Sequence, residues 1–278
     1  MKYVARCLLL SLSLVAVSMS AQEEQLRTSA HLFGIGGVNH LDTYLSPLNY
    51  TGPQFHYLHE GLRPTKLFEG HVFFQSLTHI EGSFTKNRPE KADDLGGSLS
   101  YDAAWHYHLL ADKPLDGFHL LLGPQIGGTI GFLYNTRNGN NPAQATAEIH
   151  LSASVAALYG FHAWGHRLTL RNQLDIPLLG AMFSPAYGQS YYELFSLGHT
   201  DHNICMTTAW NAPSLRNQLT LDFPLRKSTF RISYLAEMRQ SHVNSLKRHS
   251  YTHAFLIGWV RHFTIFSHRQ AMRQGFIL

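Results

Sequence analysis

One stretch of the chain, residues 98–110, alternates between apolar and mostly polar side chains over more than ten positions. Successive side chains of a strand point to opposite faces, so this segment would form a strand with one apolar and one polar face. Strands of soluble sheets are typically about 5–6 residues long, whereas a tilted strand needs about 9–11 residues to cross a bilayer. The segment therefore predicts a membrane-spanning strand, whose apolar face consists of Leu99, Tyr101, Ala103, Trp105, Tyr107 and Leu109.

The same alternation recurs in three further segments, residues 149–159, 215–223 and 230–238. Recurrence matters because the signal from a single barrel strand is weak. We therefore predict an all-β fold, namely a single transmembrane antiparallel β-barrel.

The N-terminus has the pattern of an export signal. Lys2 and Arg6 precede an apolar run over residues 8–17, and Ser18-Met19-Ser20-Ala21 supplies small residues for a signal peptidase. We assign residues 1–21 to a signal peptide and residues 22–278 to one barrel domain, because no linker divides them. No later segment reaches the about 18 unbroken apolar residues that indicate a spanning helix. An exported protein of this kind is secreted, periplasmic or located in the outer membrane.

Composition narrows the function classes. Charged residues make up 14% of the chain, against about 25% in typical soluble domains. The formal charge of +4 falls to +2 once Lys2 and Arg6 are removed with the signal, so we expect no nucleic-acid partner. Cys205 remains as the only thiol, which excludes an internal disulfide framework. The 19 histidines are the unusual feature of the composition, and we expect no cofactor.

We predict about twelve strands, with 10–14 possible, and long connections after strands one, three, five, seven and eleven, as in bacterial barrels whose N-terminus is periplasmic. Loops are expected at residues 41–53, 86–94, 135–145 and 177–188. The twelve predicted strands are residues 30–38, 54–62, 70–84, 98–110, 117–134, 146–160, 166–176, 190–197, 202–210, 214–223, 228–240 and 250–263.

Residues 41–53 read LDTYLSPLNYTGP. This segment resembles a stretch near the mature N-terminus of a family of uncharacterised Bacteroidetes outer-membrane proteins, domain of unknown function 3316. The likeness extends over the mature chain through its length, its exported start and its strand pattern. The resemblance implies a barrel-like outer-membrane protein, and it brings no established activity and no catalytic residues.

Ten polar side chains fall on predicted inner faces of the barrel and are candidates to line the lumen. Mixed charges in a small barrel either form salt bridges that plug it or line a pore and bias its ion selectivity. A twelve-stranded barrel is intermediate between small barrels, whose interior is filled by side chains, and large barrels, which enclose an open channel. The strand count therefore does not decide between these alternatives. The ten candidates are Asp102, His106, His108, His150, Arg171, Asp175, Arg216, Asp222, Arg231 and Glu237.

Two groups of histidines could ligate a metal. His106 and His108 are two residues apart on one strand and therefore point the same way, a geometry that can hold Zn²⁺. His199, Asp201 and His202 share a predicted turn and are weak candidates for a surface metal site. In each place there is an alternative without a metal. The first two histidines would line a water-filled lumen, and the second group would be polar residues that form a turn.

Ser241, His242 and Asn244 are the residue types of an outer-membrane lipid hydrolase. Such a site needs serine and histidine side chains within hydrogen-bond reach, oriented by a third group. Adjacent residues of a strand face opposite ways, so Ser241 and His242 would not meet there. We therefore predict no catalytic residue.

The leading hypothesis is a non-enzymatic barrel, either a narrow channel or a structural and surface-interaction protein. The alternatives are a lipid or lipopolysaccharide hydrolase and a soluble periplasmic β-protein with shorter strands. A Ser–His pair within about 3 Å on the outer surface would favour the hydrolase, and a continuous polar lumen without such a pair would favour the channel. The expected partners are outer-membrane lipid, lipopolysaccharide and the barrel-assembly machinery, whereas the oligomeric state is left open.

Overall fold

The computed structural model describes residues 25–87, 89, 91–109, 117–225 and 228–265. Within this part, eleven strands, a 3₁₀ turn (Leu67–Gly70) and one short α-helix, α1 (Tyr191–Phe195), account for most of the chain. The described residues include no helix that is long and apolar enough to cross a membrane. The strands are β1 (Gln25–Asp42), β2 (Ser46–Pro64), β3 (Val72–Asn87), β4 (Ala92–His108), β5 (Phe118–Asn135), β6 (Ala143–Ala163), β7 (His166–Phe183), β8 (Ile204–Thr208), β9 (Ser214–Leu225), β10 (Ser228–Val243) and β11 (Leu246–Ile265).

Ten of these strands close into an antiparallel barrel. Around the ring, β1 to β7 follow in chain order, β7 pairs with β9, and β9, β10 and β11 lead back to β1. The short β8 lies outside the ring, beside the end of β7, where Phe183 pairs with Ile204. The predicted β-barrel is confirmed. Its ten wall strands fall within the predicted range of 10–14, below the central value of twelve.

The difference in strand count arises at residues 190–210, which do not contribute to the wall. The strand predicted at 190–197 is wrong, because α1 occupies this segment. A capping box starts the helix: Ser190 Oγ accepts from the Glu193 amide, and the Glu193 carboxylate accepts from the Ser190 amide at 2.7 Å. The strand predicted at 202–210 shrinks to β8, whose five residues are too few to span a membrane.

The wall strands are 12–21 residues long and extend into segments predicted as loops. Residues 46–53 belong to β2, so the loop predicted at 41–53 is reduced to a turn at 43–45. Pro53 is tolerated because it lies opposite Gly37 of β1, and because the pairing of β2 with β3 is interrupted between Thr51 and Gln54. Parts of the loops predicted at 86–94, 135–145 and 177–188 are likewise strand.

Alternation along the strands separates the two faces of the wall. On β1, Leu32 points inward and is completely buried, whereas Phe33 points outward and is 51% exposed. The outer surface carries many large apolar side chains that water would not stabilise. Examples from around the ring are Ile35, Phe55, Ile126, Ile149, Phe255 and Ile257.

The barrel has two different ends. The β1–β2, β3–β4, β5–β6, β7–β9 and β10–β11 connections lie at one end, here called the loop end. The longest connection is the cover loop, residues 184–213, which contains α1 and β8. It crosses to the β1–β2 turn, where Tyr44 Oη donates to the Gln189 carbonyl at 2.9 Å. Asn244 Nδ2, from the β10–β11 turn, donates to the Ser184 carbonyl at 2.9 Å. The cover loop is thus tied to other connections around the rim.

Candidate functional site

A buried carboxylate, Glu60, lies at the centre of one interior network. Arg171 of β7 donates to its Oε1 and Arg231 of β10 donates to its Oε2. Gln75 Nε2 adds a hydrogen bond to Oε1 at 2.6 Å. Because β2 and β7 stand on opposite sides of the ten-stranded ring, these bonds cross the lumen. Arg231 also forms a two-pronged pair with Asp222, at 2.6 and 2.7 Å.

A second network centres on Arg216 of β9. Its Nη1 donates to Asp102 Oδ2 of β4 at 2.6 Å, and its Nη2 donates to Asp175 Oδ2 of β7 at 2.9 Å. Asp102 also contacts His150 of β6, with Nε2 3.1 Å from Oδ1. The four side chains therefore join strands from different parts of the wall.

A third group lies nearer the loop end. Arg239 of β10 pairs with Glu237 on its own strand and with Glu81 of β3, both at 2.9 Å. At the rim, Arg248 Nε donates to Asp42 Oδ2 at 2.8 Å. Each of these charged groups has an opposite charge beside it, as buried ions require.

Apolar side chains fill the interior beside the Glu60 network. One cluster comes from β1, β2, β3, β10 and β11, and a second comes from β3, β5 and β6. Charged and apolar side chains, both buried, therefore fill the half of the described interior that lies away from the loop end. The clusters consist of Ala30, Leu32, Leu58, Leu77, Leu235, Ala254, Leu256 and Val260, and of Phe73, Leu121, Ala156 and Leu158.

The loop half of the barrel holds a cavity of about 240 Å³. Its lining includes Asp102 and Arg216 at the middle of the barrel, and Glu81, Glu237 and Arg239 above them. Charges of both signs thus surround a space large enough for a few water molecules or a small solute.

The structure places the ten predicted lumen residues in several groups. Arg216, Asp102, Asp175 and His150 share one network, and Arg171, Arg231 and Asp222 meet around Glu60. Glu237 pairs with Arg239, the His106 Nε2 atom lies 2.8 Å from Ser154 Oγ, and the His108 Nε2 atom lies 3.2 Å from His119 Nδ1. The other interior partners were not among the predicted residues; they include Glu60, Glu81, Arg239, Arg248 and Asp42. Glu60 could have been found from the alternation of Gln54, His56, Leu58 and Glu60 with outward side chains.

The predicted metal groups are not brought together as ligand sets. His199, Asp201 and His202 have exposed side chains in the cover loop. His106 and His108 have separate partners. Within the described residues, the one group of at least three His, Cys, Asp or Glu side chains with metal-site spacing is His56, His79 and Glu81.

The predicted serine–histidine neighbours also stay apart, because Ser241 lines the cavity and His242 is exposed on the other face of β10. A different pair lies on the outer surface. The Ser29 Oγ atom of β1 is 3.0 Å from His59 Nε2 of β2, and the His31 ring lies beside His59 with 4.6 Å between ring centroids.

Two phenols and a carboxylate hold the cover loop. Partial burial, with smaller contributions from the nearby Tyr191, Asp42 and Glu193, raises the pKa of Tyr44 to about 12. Burial also raises the pKa of Tyr191, whose Oη accepts from the Ala145 amide at 2.6 Å. Hydrogen bonds from Ser190 lower the pKa of Glu193. At neutral pH the phenols of Tyr44 and Tyr191 are protonated, and the Glu193 carboxylate of the capping box is ionised.

A family model matches residues 3–270, nearly the whole chain, and its description is protein of unknown function (DUF3316). The chain belongs to this family. The match supports the resemblance noted at residues 41–53, and it gives the family without an activity. No curated protein matches the chain.

Several solved structures are similar to this DUF3316 protein. The translocator domain of autotransporter NalP from Neisseria meningitidis is 14% identical, with 93% of this chain and 96% of that chain covered and a TM-score of 0.41. The outer membrane protease OmpT from Escherichia coli is 6% identical, with coverage of 88% and 99% and a TM-score of 0.44. Ail from Yersinia pestis is 7% identical, with coverage of 84% and 98% and a TM-score of 0.31. At such identities no activity is transferred.

Proposed function

We propose that this DUF3316 protein is an outer-membrane β-barrel that does not conduct solutes and acts through its loop end, as a surface-interaction protein. The apolar outer surface supports the membrane location, because a wall of this kind is stabilised by lipid. Strand lengths of 12–21 residues exceed the about 9–11 residues that span a bilayer, which supports a loop end that projects from the membrane. Lipopolysaccharide around the wall and insertion by the barrel-assembly machinery follow from this location.

The observation that carries the proposal is the Glu60 network. Arg171 and Arg231 reach the same buried carboxylate from two sides of the lumen. An ion that passed through would have to separate these pairs, and breaking a buried ion pair costs about 3–5 kcal/mol. The side chains of the apolar clusters beside Glu60 would be unable to replace the separated ion pairs. The loop end, in contrast, combines the cavity with the exposed surface of the cover loop.

Conductance in planar bilayers tests this function. The refolded full chain is first shown to be inserted by its heat-modifiable gel mobility and its resistance to protease. We expect no stable conductance steps from the wild type. The triple variant Arg171→Ala, Arg216→Ala, Arg231→Ala removes the crossing side chains and should produce discrete steps. Arg167→Ala is the matched control, because Arg167 is exposed outside these networks, and it should remain silent. Stable steps from the inserted wild type would refute the proposal.

A second candidate function, lipid hydrolysis, is favoured by the Ser29–His59 pair. Its 3.0 Å separation on the outer surface is the geometry of a nucleophile and its base. The described residues place no carboxylate against His59 to orient it, as a complete triad would. Release of fatty acid from phospholipid in mixed micelles, with Ser29→Ala as the inactive form, tests the pair. His253→Ala is the control, because His253 is an outward-facing histidine bonded to Tyr234. Activity that is unchanged in Ser29→Ala would exclude this site.

A further inference from the structure

The register of β2 and β3 brings three metal-ligating side chains to one place inside the barrel. His56 lies directly opposite Glu81, and His79 is two residues from Glu81 on the same strand face. One ligand atom from each residue lies within 4.8 Å of the others. Two imidazoles and a carboxylate are a donor set that suits Zn²⁺ and related transition metals.

The two imidazoles already face each other through nitrogen atoms. His56 Nδ1 lies 3.0 Å from His79 Nε2, and the rings are stacked with centroids 5.2 Å apart. Two nitrogens bound to one tetrahedral Zn²⁺ at about 2.0–2.1 Å would be about 3.3 Å apart. The rings would therefore need to separate by only about 0.3 Å to accept an ion.

Glu81 is anchored through one oxygen and has the other available. Its Oε1 accepts from Ser98 Oγ at 2.7 Å and from Arg239 Nη1 at 2.9 Å. Its Oε2 is buried and has no hydrogen-bond partner. Outer hydrogen bonds of this kind orient a ligating carboxylate in metal sites.

Unpartnered buried atoms also occur on both histidines. His79 is only 1% exposed, yet its Nδ1 lacks a partner, and His56 Nε2 lacks one as well. Polar groups left unsatisfied in an interior are uncommon, and each one calls for an explanation. An ion held between His56 Nδ1 and His79 Nε2 would take the free Glu81 Oε2 as its third ligand, whereas the two unpartnered ring nitrogens lie on the far side of their rings.

We propose that His56, His79 and Glu81 form a binding site for one divalent transition-metal ion, with Zn²⁺ as the best match. The surrounding charge suits a cation, because the two carboxylates of Glu81 and Glu237 outnumber the single guanidinium of Arg239 beside them. Glu81 also lines the cavity of the loop half, which provides the route for the ion and space for a water ligand. The nitrogen donors disfavour Mg²⁺ and Ca²⁺, which prefer oxygen.

Titration calorimetry with ZnCl₂ tests the site on the full chain, refolded in detergent, stripped with a chelator and dialysed. We expect one Zn²⁺ per chain and no heat from MgCl₂. Co²⁺ should give the visible absorption of a tetrahedral complex with nitrogen ligands. Neither measurement depends on conductance, so this proposal and the proposed function can fail separately.

Variants locate the ion. His79→Gln and Glu81→Gln should each weaken Zn²⁺ binding by at least about 10-fold, and Ser98→Ala, which frees Glu81, should weaken it by about 10–100-fold. His106→Gln is the matched control, because His106 is an equally buried interior histidine outside the group, and it should bind like the wild type. Heat-modifiable mobility shows which variants are folded.

Two results would overturn the proposal. One is the absence of Zn²⁺ binding by the folded wild type. The other is wild-type affinity for Zn²⁺ in the folded His79→Gln and Glu81→Gln variants; loss of binding in the double variant His199→Ala, His202→Ala would then move the ion to the cover loop.

Discussion

Arg216 of β9 donates to Asp102 of β4 across the lumen, with 2.6 Å between Nη1 and Oδ2. The same guanidinium holds Asp175 of the neighbouring strand β7 at 2.9 Å, so one side chain joins β4 to the adjacent pair of β7 and β9. Both carboxylates are buried beside it. A single arginine thus compensates two charges that would otherwise stand unpaired in a low-dielectric interior.

This relationship predicts a large loss of stability in Arg216→Ala. The substitution leaves Asp102 and Asp175 without their cation, and the removal of one partner from a buried pair typically costs about 3–5 kcal/mol. Urea unfolding of the protein in detergent, followed by tryptophan fluorescence, measures the change. Arg167→Ala should alter the free energy of unfolding by less than about 0.5 kcal/mol, because that side chain is exposed. Equal effects in the two variants would show that the pairs across the lumen do not stabilise the barrel.

A glycine of β11 provides a second stability test. A Cβ atom added at Gly258 would lie 1.8 Å from the His31 carbonyl oxygen of the neighbouring strand, so the two strands could not keep their spacing. We expect Gly258→Ala to destabilise the barrel by about 1–3 kcal/mol, the usual cost of overpacking. Gly82→Ala is the control, because nothing lies within 4 Å of a Cβ at that strand position. The explanation fails if Gly258→Ala unfolds at the same urea concentration as Gly82→Ala.

The sequence predicted the wall better than the contacts inside it. Period-two alternation identifies which face of a strand is polar, and it placed Asp102 and Arg216 among the interior candidates. It does not reveal that these two residues meet, because contact across the lumen depends on the strand number and on the register of every intervening pair. The twelve-strand estimate counted residues 190–210 as wall, where the capping box at Ser190 starts a helix instead.

The candidate metal site was missed for a related reason. His79 and Glu81 are two residues apart, a spacing that the sequence shows as plainly as that of His106 and His108. The third ligand, His56, comes from another strand, and only the register of β2 with β3 sets it opposite Glu81. Histidine spacing within one strand was therefore insufficient to choose between the pairs.

Acid should loosen the cover loop. Hydrogen bonds from Ser190 lower the pKa of Glu193 below its ordinary value of 4.5. A lowered folded-state pKa stabilises the fold above the unfolded value, and this contribution is lost as the pH falls through the folded pKa. We expect proteolytic nicking of residues 184–213 to increase as the pH falls below about 4.5, measured with pepsin and mass spectrometry. Glu193→Ala, which removes the acceptor of the Ser190 amide, should be nicked readily at every pH in this range, and a wild type that resists nicking throughout would contradict the expectation.

Alkali should release the cover loop from the β1–β2 turn. Partial burial raises the pKa of Tyr44 from 10.0 to about 12, and its hydroxyl donates to the Gln189 carbonyl. A raised pKa means that the fold favours the protonated phenol: the contribution is complete below pH 10 and is lost as the pH rises through about 12.

The phenolate absorbance of the wild type minus that of Tyr44→Phe should titrate near pH 12, and Tyr44→Phe should expose the cover loop to protease already at neutral pH. Tyr187→Phe is the control, because Tyr187 is an exposed phenol of the same loop. A difference titration centred near pH 10 would show that Tyr44 is not held against Gln189.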